Sequence, residues 1–270
     1  MVSPMSIPKA KSETTKTNKI DAAKIAEYLH CGKLRSIKVP TGIYRELRHL
    51  VRIRELYTEK RKKAKQRIKA VLLQESLYAE NKDVNSAWTR EYVEKIKNIK
   101  TSEAVKYRLE MLIMDLEYSK RQLLSIQGQV KKFCKIHSEN NQHITLLRTI
   151  PWIGFIVSTT ILGKIGDPKR LGKEREIAGF LGLTPWENST GEEENKGSIT
   201  HFGNQKLRAL LVESAWAAIR KDTRLKQFYY RIKSRKHLKI GSVKAIVAVA
   251  RKVTQIIYRI LKDQREYVRE

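Results

Sequence analysis

Two hydroxyl side chains, Ser189 and Thr190, stand side by side just before Gly191 in the polar run ENSTGEEENKG. A hydroxyl oxygen is a weak nucleophile at neutral pH and attacks only where a base or a metal activates it. The same composition also suits a mobile polar surface loop, and both readings stand. Around this pair the chain carries groups suited to phosphate. The turn Pro151-Trp152-Ile153-Gly154 leads into an apolar helical pattern that contains Lys164. A tight turn of this kind exposes backbone N–H groups at the next helix's start, where a phosphate can be held. An ordinary core hairpin would leave the same pattern, so this too has two readings. Lys206 and Arg208 follow the loop. From Arg220 to Lys239 there are 9 Lys/Arg and one acid, with Phe228, Tyr229 and Tyr230 interleaved. Aromatic rings among cations can stack on bases, although one or two of these three are expected in the core.

The whole composition points the same way. Lys and Arg number 56 against 28 Asp and Glu in 270 residues, a formal charge of +28. A chain this basic repels itself unless a polyanion is near, and nucleic acid is the leading partner because each neutralised phosphate releases counterions. A spanning helix needs roughly 20 apolar residues, and the most apolar run, Ile150 to Gly163, falls short of that. The start MVSPMSIPKAKSETTKTNKID has no apolar core and is not a signal peptide. The two cysteines, Cys31 and Cys134, lie far apart and form no metal-binding pattern. Reduced thiols and a cytoplasmic location are expected.

Helices must position these groups. Ile20, Ile25, Tyr28 and Leu29 lie on one face of a short helix stopped by Gly32. Residues 43–78 form a long helix with a narrow seam of Ile43, Leu47, Leu50, Tyr57, Ala64, Ile68 and Val71. From Arg45 to Lys69 it holds 11 Lys/Arg and 3 Asp/Glu. Arg45, Arg52, Lys62 and Lys65 are its candidate phosphate contacts, on a face that tracks a DNA or structured-RNA backbone. Residues 79–100 read as a loop and a short helix. Residues 103–137 carry a heptad seam: Val105, Leu109, Leu112, Leu116, Ser119, Leu123, Ile126, Val130, Phe133 and His137. The two long helices are expected to pair as an antiparallel hairpin, whose seam could also face a second subunit. Residues 241–262 form a further one-sided helix.

Two stretches resemble the transposases of the insertion-sequence 110 family, the DEDD/serine, bridge-RNA-guided type. The fragment KTNKIDAAKIAEYL is similar to the end of that family's RNase-H-like (RuvC-type) domain, where an Asp-x-x-Asp motif opens a helix. Asn18 and Asp21 occupy the motif positions, so the resemblance implies that they are metal ligands for Mg²⁺, with an amide in place of the first carboxylate. As the first-turn acid of a helix, Asp21 is alternatively placed to interact with the dipole. The second stretch is more specific. Ile150-Pro151-Trp152-Ile153-Gly154, Ile165-Gly166-Asp167, Ala178 through Pro185, Gly197-Ser198-Ile199-Thr200-His201-Phe202-Gly203-Asn204 and Leu211-Val212-Glu213-Ser214-Ala215 follow the order of the family's C-terminal (IS116/IS110/IS902-like) domain. There, the serine just before the loop glycine attacks DNA and forms a phosphoserine link. The resemblance gives that role to Thr190 by position or to Ser189 by a shift of one residue, with Asp21 as the third catalytic candidate.

The expected fold is mainly α, with a long helical hairpin or coiled coil and a compact C-terminal domain containing a helix-hairpin-helix-like unit. Short β structure is expected around Gly197 to Gly203. The expected domains are 1–40, a remnant of the RNase-H-like domain; 41–142, the hairpin; and 143–270, the C-terminal transposase domain. The chain reads as an N-terminally truncated member with an incomplete catalytic set. The implied function is DNA strand cleavage and rejoining in transposition, with DNA and guide RNA as partners in a homo-oligomer. Gly154, Lys164, Lys206 and Arg208 join the four cations of residues 43–78 as nucleic-acid-binding candidates. The alternative is a nucleic-acid-binding remnant or accessory factor without catalysis.

Overall fold

A computed structural model describes residues 7, 17–34, 39–78, 88–170, 172, 174–187, 196–200, 203–235 and 241–268. The chain divides into two compact units, Met1–Thr41 and Gly42–Glu270. The first unit contains α1 (Asn18–His30). The Thr17 hydroxyl caps it by accepting from the Ile20 N–H at 3.3 Å. Gly32 ends it in the left-handed conformation, φ +64°, which glycine adopts without steric cost. No residue of α1 is buried, and Ile20, Ile25 and Leu29 are exposed.

The second unit is built on two long helices, α2 (Gly42–Gln74) and α4 (Glu103–Ile136). They run antiparallel, since Tyr57 meets Tyr118 edge-on and Arg108 donates to the Gln74 amide oxygen. The buried seam of α4 is Leu109, Ile113, Leu116, Ser119, Leu123, Ile126, Val130 and Cys134. It keeps the heptad positions through the middle and moves to Ile113 and Cys134 near the ends. Those spacings follow the natural 3.6-residue turn of the helix rather than a strict 3.5 repeat. Short α3 (Arg90–Lys97), part of the connection between α2 and α4, packs on the closed end of the hairpin, where Tyr92 and Ile96 join Ala64, Ile68, Leu72, Leu109 and Ile113 in one apolar cluster.

The open end of the hairpin belongs to a second, larger core. Leu47 and Val51 of α2 and Ile126, Val130 and Cys134 of α4 meet the C-terminal helices there. These are α5 (Ser138–Arg148), α6 (Phe155–Ile165), α7 (Glu174–Phe180), α8 (Gln205–Lys221), α9 (Thr223–Lys233) and α10 (Gly241–Asp263). Each fully buried aliphatic side chain contributes about 1.5–3 kcal/mol relative to exposure, and α10 alone buries Ile246, Val249, Val253, Ile257, Ile260 and Leu261. The fold is mainly α. Among the described residues its β structure is one antiparallel pair, β1 (Pro185–Glu187) and β2 (Lys196–Ile199), in the register Pro185↔Ile199. β2 overlaps the expected short strand. β1 was not anticipated, because three residues are too few to show alternation. Among the described residues no helix is long and apolar enough to cross a membrane. Both cysteines are free thiols, Cys31 exposed and Cys134 buried. Burial pushes the Cys134 thiol up to about 11.

Two glycines fix how the elements meet. At Gly163 a Cβ would lie 3.0 Å from the Val51 methyl, so its bare backbone sets the approach of α6 to α2. There Arg48 of α2 donates from Nε to the Gly163 carbonyl at 2.8 Å and from Nη2 to the Lys164 carbonyl, capping the end of α6. Gly203 has φ +107°, and a Cβ there would stand 2.5 Å from the Phe180 carbonyl oxygen. Both strain and overlap oppose any side chain at Gly203. The Gly203→Ala variant is expected to lose about 2 kcal/mol or more. It should appear as a lower urea midpoint at unchanged slope.

The C-terminal tail is tied back across this core. The Tyr267 N–H donates to the Thr149 hydroxyl at 2.8 Å, and its phenol donates to Asp222 Oδ2 at 2.6 Å. Asp222 also caps α9 by accepting from the Arg224 and Leu225 N–H groups. Burial alone would raise the Asp222 carboxyl, but the Tyr267 hydroxyl and these two N–H groups hold it below its ordinary value. Burial first, and the hydrogen bond to Asp222 second, push the Tyr267 phenol up to about 12. Trp152 is buried with its ring edge against Tyr267, which makes it a core residue.

Candidate nucleic-acid interface

Asn18 and Asp21 open α1, the first exposed and the second half-buried. One carboxylate and one amide make a thin donor set for a hard divalent cation, which prefers several charged oxygens. Among the described residues no group of three His, Cys, Asp or Glu side chains is arranged to hold a metal ion. These two residues alone therefore do not fit a complete Mg²⁺ site.

Ser189 and Thr190 lie outside the described residues. In sequence they fall between β1 and β2, whose bases are well fixed. The Thr200 N–H donates to the Thr184 carbonyl at 2.9 Å, and the Asn204 N–H donates to the Phe180 carbonyl at 3.1 Å. The Asn204 side chain then caps α8 by accepting from the Leu207 N–H. Arg208 completes the frame. Its guanidinium donates to the Leu181 carbonyl at 3.1 Å and the Thr200 carbonyl at 3.4 Å. The Gly203-Asn204 pair and Arg208 thus act on the scaffold of the hydroxyl loop. Arg208 is half-buried and holds two strands of backbone together.

Lys164 and Lys206 converge on a residue that the sequence did not single out. Lys164 Nζ lies 2.8 Å from Glu55 Oε2, with both side chains about nine-tenths covered. Lys206 Nζ, more exposed, lies 3.7 Å from the same oxygen. Glu55 of α2 thereby joins α6 and the start of α8. Its other oxygen, Oε1, and the neighbouring Arg54 Nε are buried without a hydrogen-bond partner. Burial first, then the Arg61 charge, lowers the Arg54 guanidinium, while Glu55 acts to raise it. The only signal available beforehand was that Glu55 is one of three acids among 11 cations.

Three of the four candidate cations of α2 face outward. Arg45, Arg52 and Lys62 are exposed along α2. Lys65 is half-buried, with its ammonium 5.3 Å from the Trp88 ring centre. Gly154 is the exposed N-cap of α6, with φ −87° and space for a side chain. The turn before it is held by the Ile153 N–H on the Ile150 carbonyl, and Lys221 Nζ donates to the Pro151 carbonyl at 2.8 Å. The three aromatic residues of α9 divide by environment. Tyr229 is buried, Phe228 is half-buried beside α10, and Tyr230 is 53% exposed.

Comparison with known proteins reaches both ends of the chain. A family model described as Transposase IS116/IS110/IS902 family matches residues 144–230. A second model, for the DEDD transposases of insertion sequence 110, matches residues 1–76. The chain is 27% identical to the inferred transposase y4qE of Sinorhizobium fredii over 80% of its own length and 51% of that protein. It is 24% identical to the transposase for insertion sequence element IS1111A of Coxiella burnetii, over 99% of its own length and 72% of that protein. It is 26% identical to the pilin gene-inverting protein of Moraxella bovis, over 54% of its own length and 45% of that protein. It thus spans about half the length of the first of these relatives. The DEDD type implies a general dependence on divalent metal. With matches over residues 1–76 and 144–230 and relatives named for insertion sequences and DNA inversion, the chain belongs to the insertion-sequence 110 family of transposases.

Proposed function

We propose that this protein cuts and rejoins DNA strands in the transposition of an insertion sequence, with the loop between β1 and β2 supplying the attacking hydroxyl. The observation that carries the reading is the transposase match over residues 144–230, which includes this loop, its framing strands and α8. In the step envisaged, the oxygen of Ser189 or Thr190 attacks a phosphodiester phosphorus. The bond to the neighbouring deoxyribose oxygen breaks, and that oxygen takes up the hydroxyl proton. The phosphoester link conserves the energy needed for rejoining. Mg²⁺ is the divalent ion proposed, since it binds through one or two carboxylates together with substrate phosphates; Asp21 and Asn18 are the donors this chain offers it.

Guide RNA and a second copy of the chain complete the proposal. The exposed cations of α2 support contact with an RNA or DNA backbone. A stripe of Tyr107, Met111, Met114 and Tyr118 on α4, each 46% exposed or more, supports self-association. Its spacing of four, three and four residues is that of a coiled-coil seam.

The test is a protein–DNA adduct. The chain is incubated with guide RNA, Mg²⁺ and the DNA ends of its element, and the products are separated under denaturing conditions. A covalent adduct that disappears in the Ser189→Ala/Thr190→Ala double variant is expected, and the single variants identify the hydroxyl. An adduct that persists in the double variant would overturn the assignment of the loop. No adduct at all, with nucleic-acid binding intact, would favour a factor without catalysis.

A further inference from the structure

A groove of about 860 Å³ runs between α9, α10 and the tail at 264–268. Its chemistry differs from that of the exposed face of α2. Half-buried Phe228 lies in it, flanked by aliphatic Leu225 and Ile256. The Arg231 guanidinium stands 5.3 Å from the Phe228 ring centre, and the Lys252 ammonium 5.8 Å from it. One cation comes from α9 and the other from α10, so the ring has positive charge from both walls. Both cations are exposed, and among the described residues no carboxylate pairs with either.

The groove holds five cationic side chains and three carboxylates. Among the described residues none of the three carboxylates pairs with Arg231 or Lys252. Asp222 is engaged by the Tyr267 hydroxyl and two backbone N–H groups. Asp263 is paired with Arg265 at 2.7 Å, and Glu266 is on the exposed tail. An aromatic face recessed between two uncompensated cations suits a planar base whose neighbouring phosphates reach the cations. A duplex keeps its bases stacked internally and cannot offer one to a recessed ring.

We infer that the groove between α9 and α10 binds a single-stranded segment of nucleic acid, with an unstacked base on Phe228 and its flanking phosphates on Arg231 and Lys252. This rests on the reading of the chain as one that acts on nucleic acid, but it concerns a surface apart from the hydroxyl loop. Binding is measured without any cleavage, so a failure of the cleavage proposal leaves it standing, and the reverse also holds.

The experiment uses the full chain and fluorescence anisotropy, with DNA and RNA single strands of about 12 nucleotides and the matching DNA duplex. Arg231→Gln/Lys252→Gln changes two exposed side chains that belong to neither apolar core. It should weaken single-strand binding about tenfold and lower the salt slope by about 1.4, near 0.7 for each lost phosphate contact. Duplex affinity should stay the same. Phe228→Leu, which keeps an apolar side chain on the core, should weaken single-strand binding about tenfold while leaving the salt slope unchanged. Irradiation of a strand containing 5-iodouracil with the unaltered chain should crosslink Phe228. The tighter of the two single strands identifies the sugar of the natural occupant. Unchanged single-strand affinity in the double variant, an equal loss on duplex, or a crosslink confined to Tyr230 would each overturn the inference.

Discussion

Glu55→Ala is expected to lower the unfolding free energy by about 3–5 kcal/mol, because it leaves a charged lysine buried without its partner. Lys164 Nζ is 2.8 Å from Glu55 Oε2, with little of either side chain exposed. Lys206 cannot replace the carboxylate; it adds a second positive charge 3.7 Å from the same oxygen. The pair is not expected to be a strong net stabiliser, since moving both charges out of water offsets most of their attraction. The asymmetry is therefore the informative result. Glu55→Leu combined with Lys164→Met should recover most of the loss, because it removes both buried charges and retains packing. Urea unfolding of Glu55→Leu, Lys164→Met and the double variant makes a thermodynamic cycle. A Glu55→Ala loss below about 1 kcal/mol would mean that water reaches Lys164 in solution. The result bears on the proposed site, because Glu55 joins α2 both to α6 and to the start of α8, the helix that follows β2.

The periodic parts of the fold were legible in the sequence. The seam of α4 was read at six of its eight buried positions, because burial against one neighbour imposes a repeat that composition displays directly. α1 was legible from its local pattern and its glycine stop, although the apolar face read for it is not buried. Pairings distant in sequence were not legible. Nothing near Lys164 announces that its partner stands 109 residues away, so a cation count placed it with the phosphate contacts. Arg208 likewise looked like one more surface cation, whereas it ties the Leu181 and Thr200 carbonyls together. Gly203-Asn204 was recognised through the family resemblance, and the structure supplies the reason for it. The glycine allows contact with the Phe180 carbonyl, and the asparagine caps α8. The aromatic residues of α9 shared one basic run, and only the packing against α10 separates buried Tyr229 from Phe228 in its groove.

Affinity for duplex DNA should fall by about 10³–10⁵ between about 50 and about 200 mM salt, as for a protein that neutralises roughly 6–10 phosphates. The formal charge of +28 supplies more than enough cations for this, and α2 holds 11 of the 56 between Arg45 and Lys69. Their environments divide them into groups with different expected effects. Arg45, Arg52 and Lys62 are exposed, whereas Arg48 is committed to the Gly163 and Lys164 carbonyls. Replacing the first three with glutamine should reduce the slope of log K against log salt by about 2.7, near 0.9 for each phosphate. It should leave stability close to that of the original chain. Lys164→Met should do the reverse, lowering stability and leaving the slope unchanged, because its ammonium is enclosed with Glu55. A slope that responds to Lys164→Met would mean that the Glu55 pair opens and gives its lysine to the DNA. A slope indifferent to the triple replacement would move the DNA from α2 to another face.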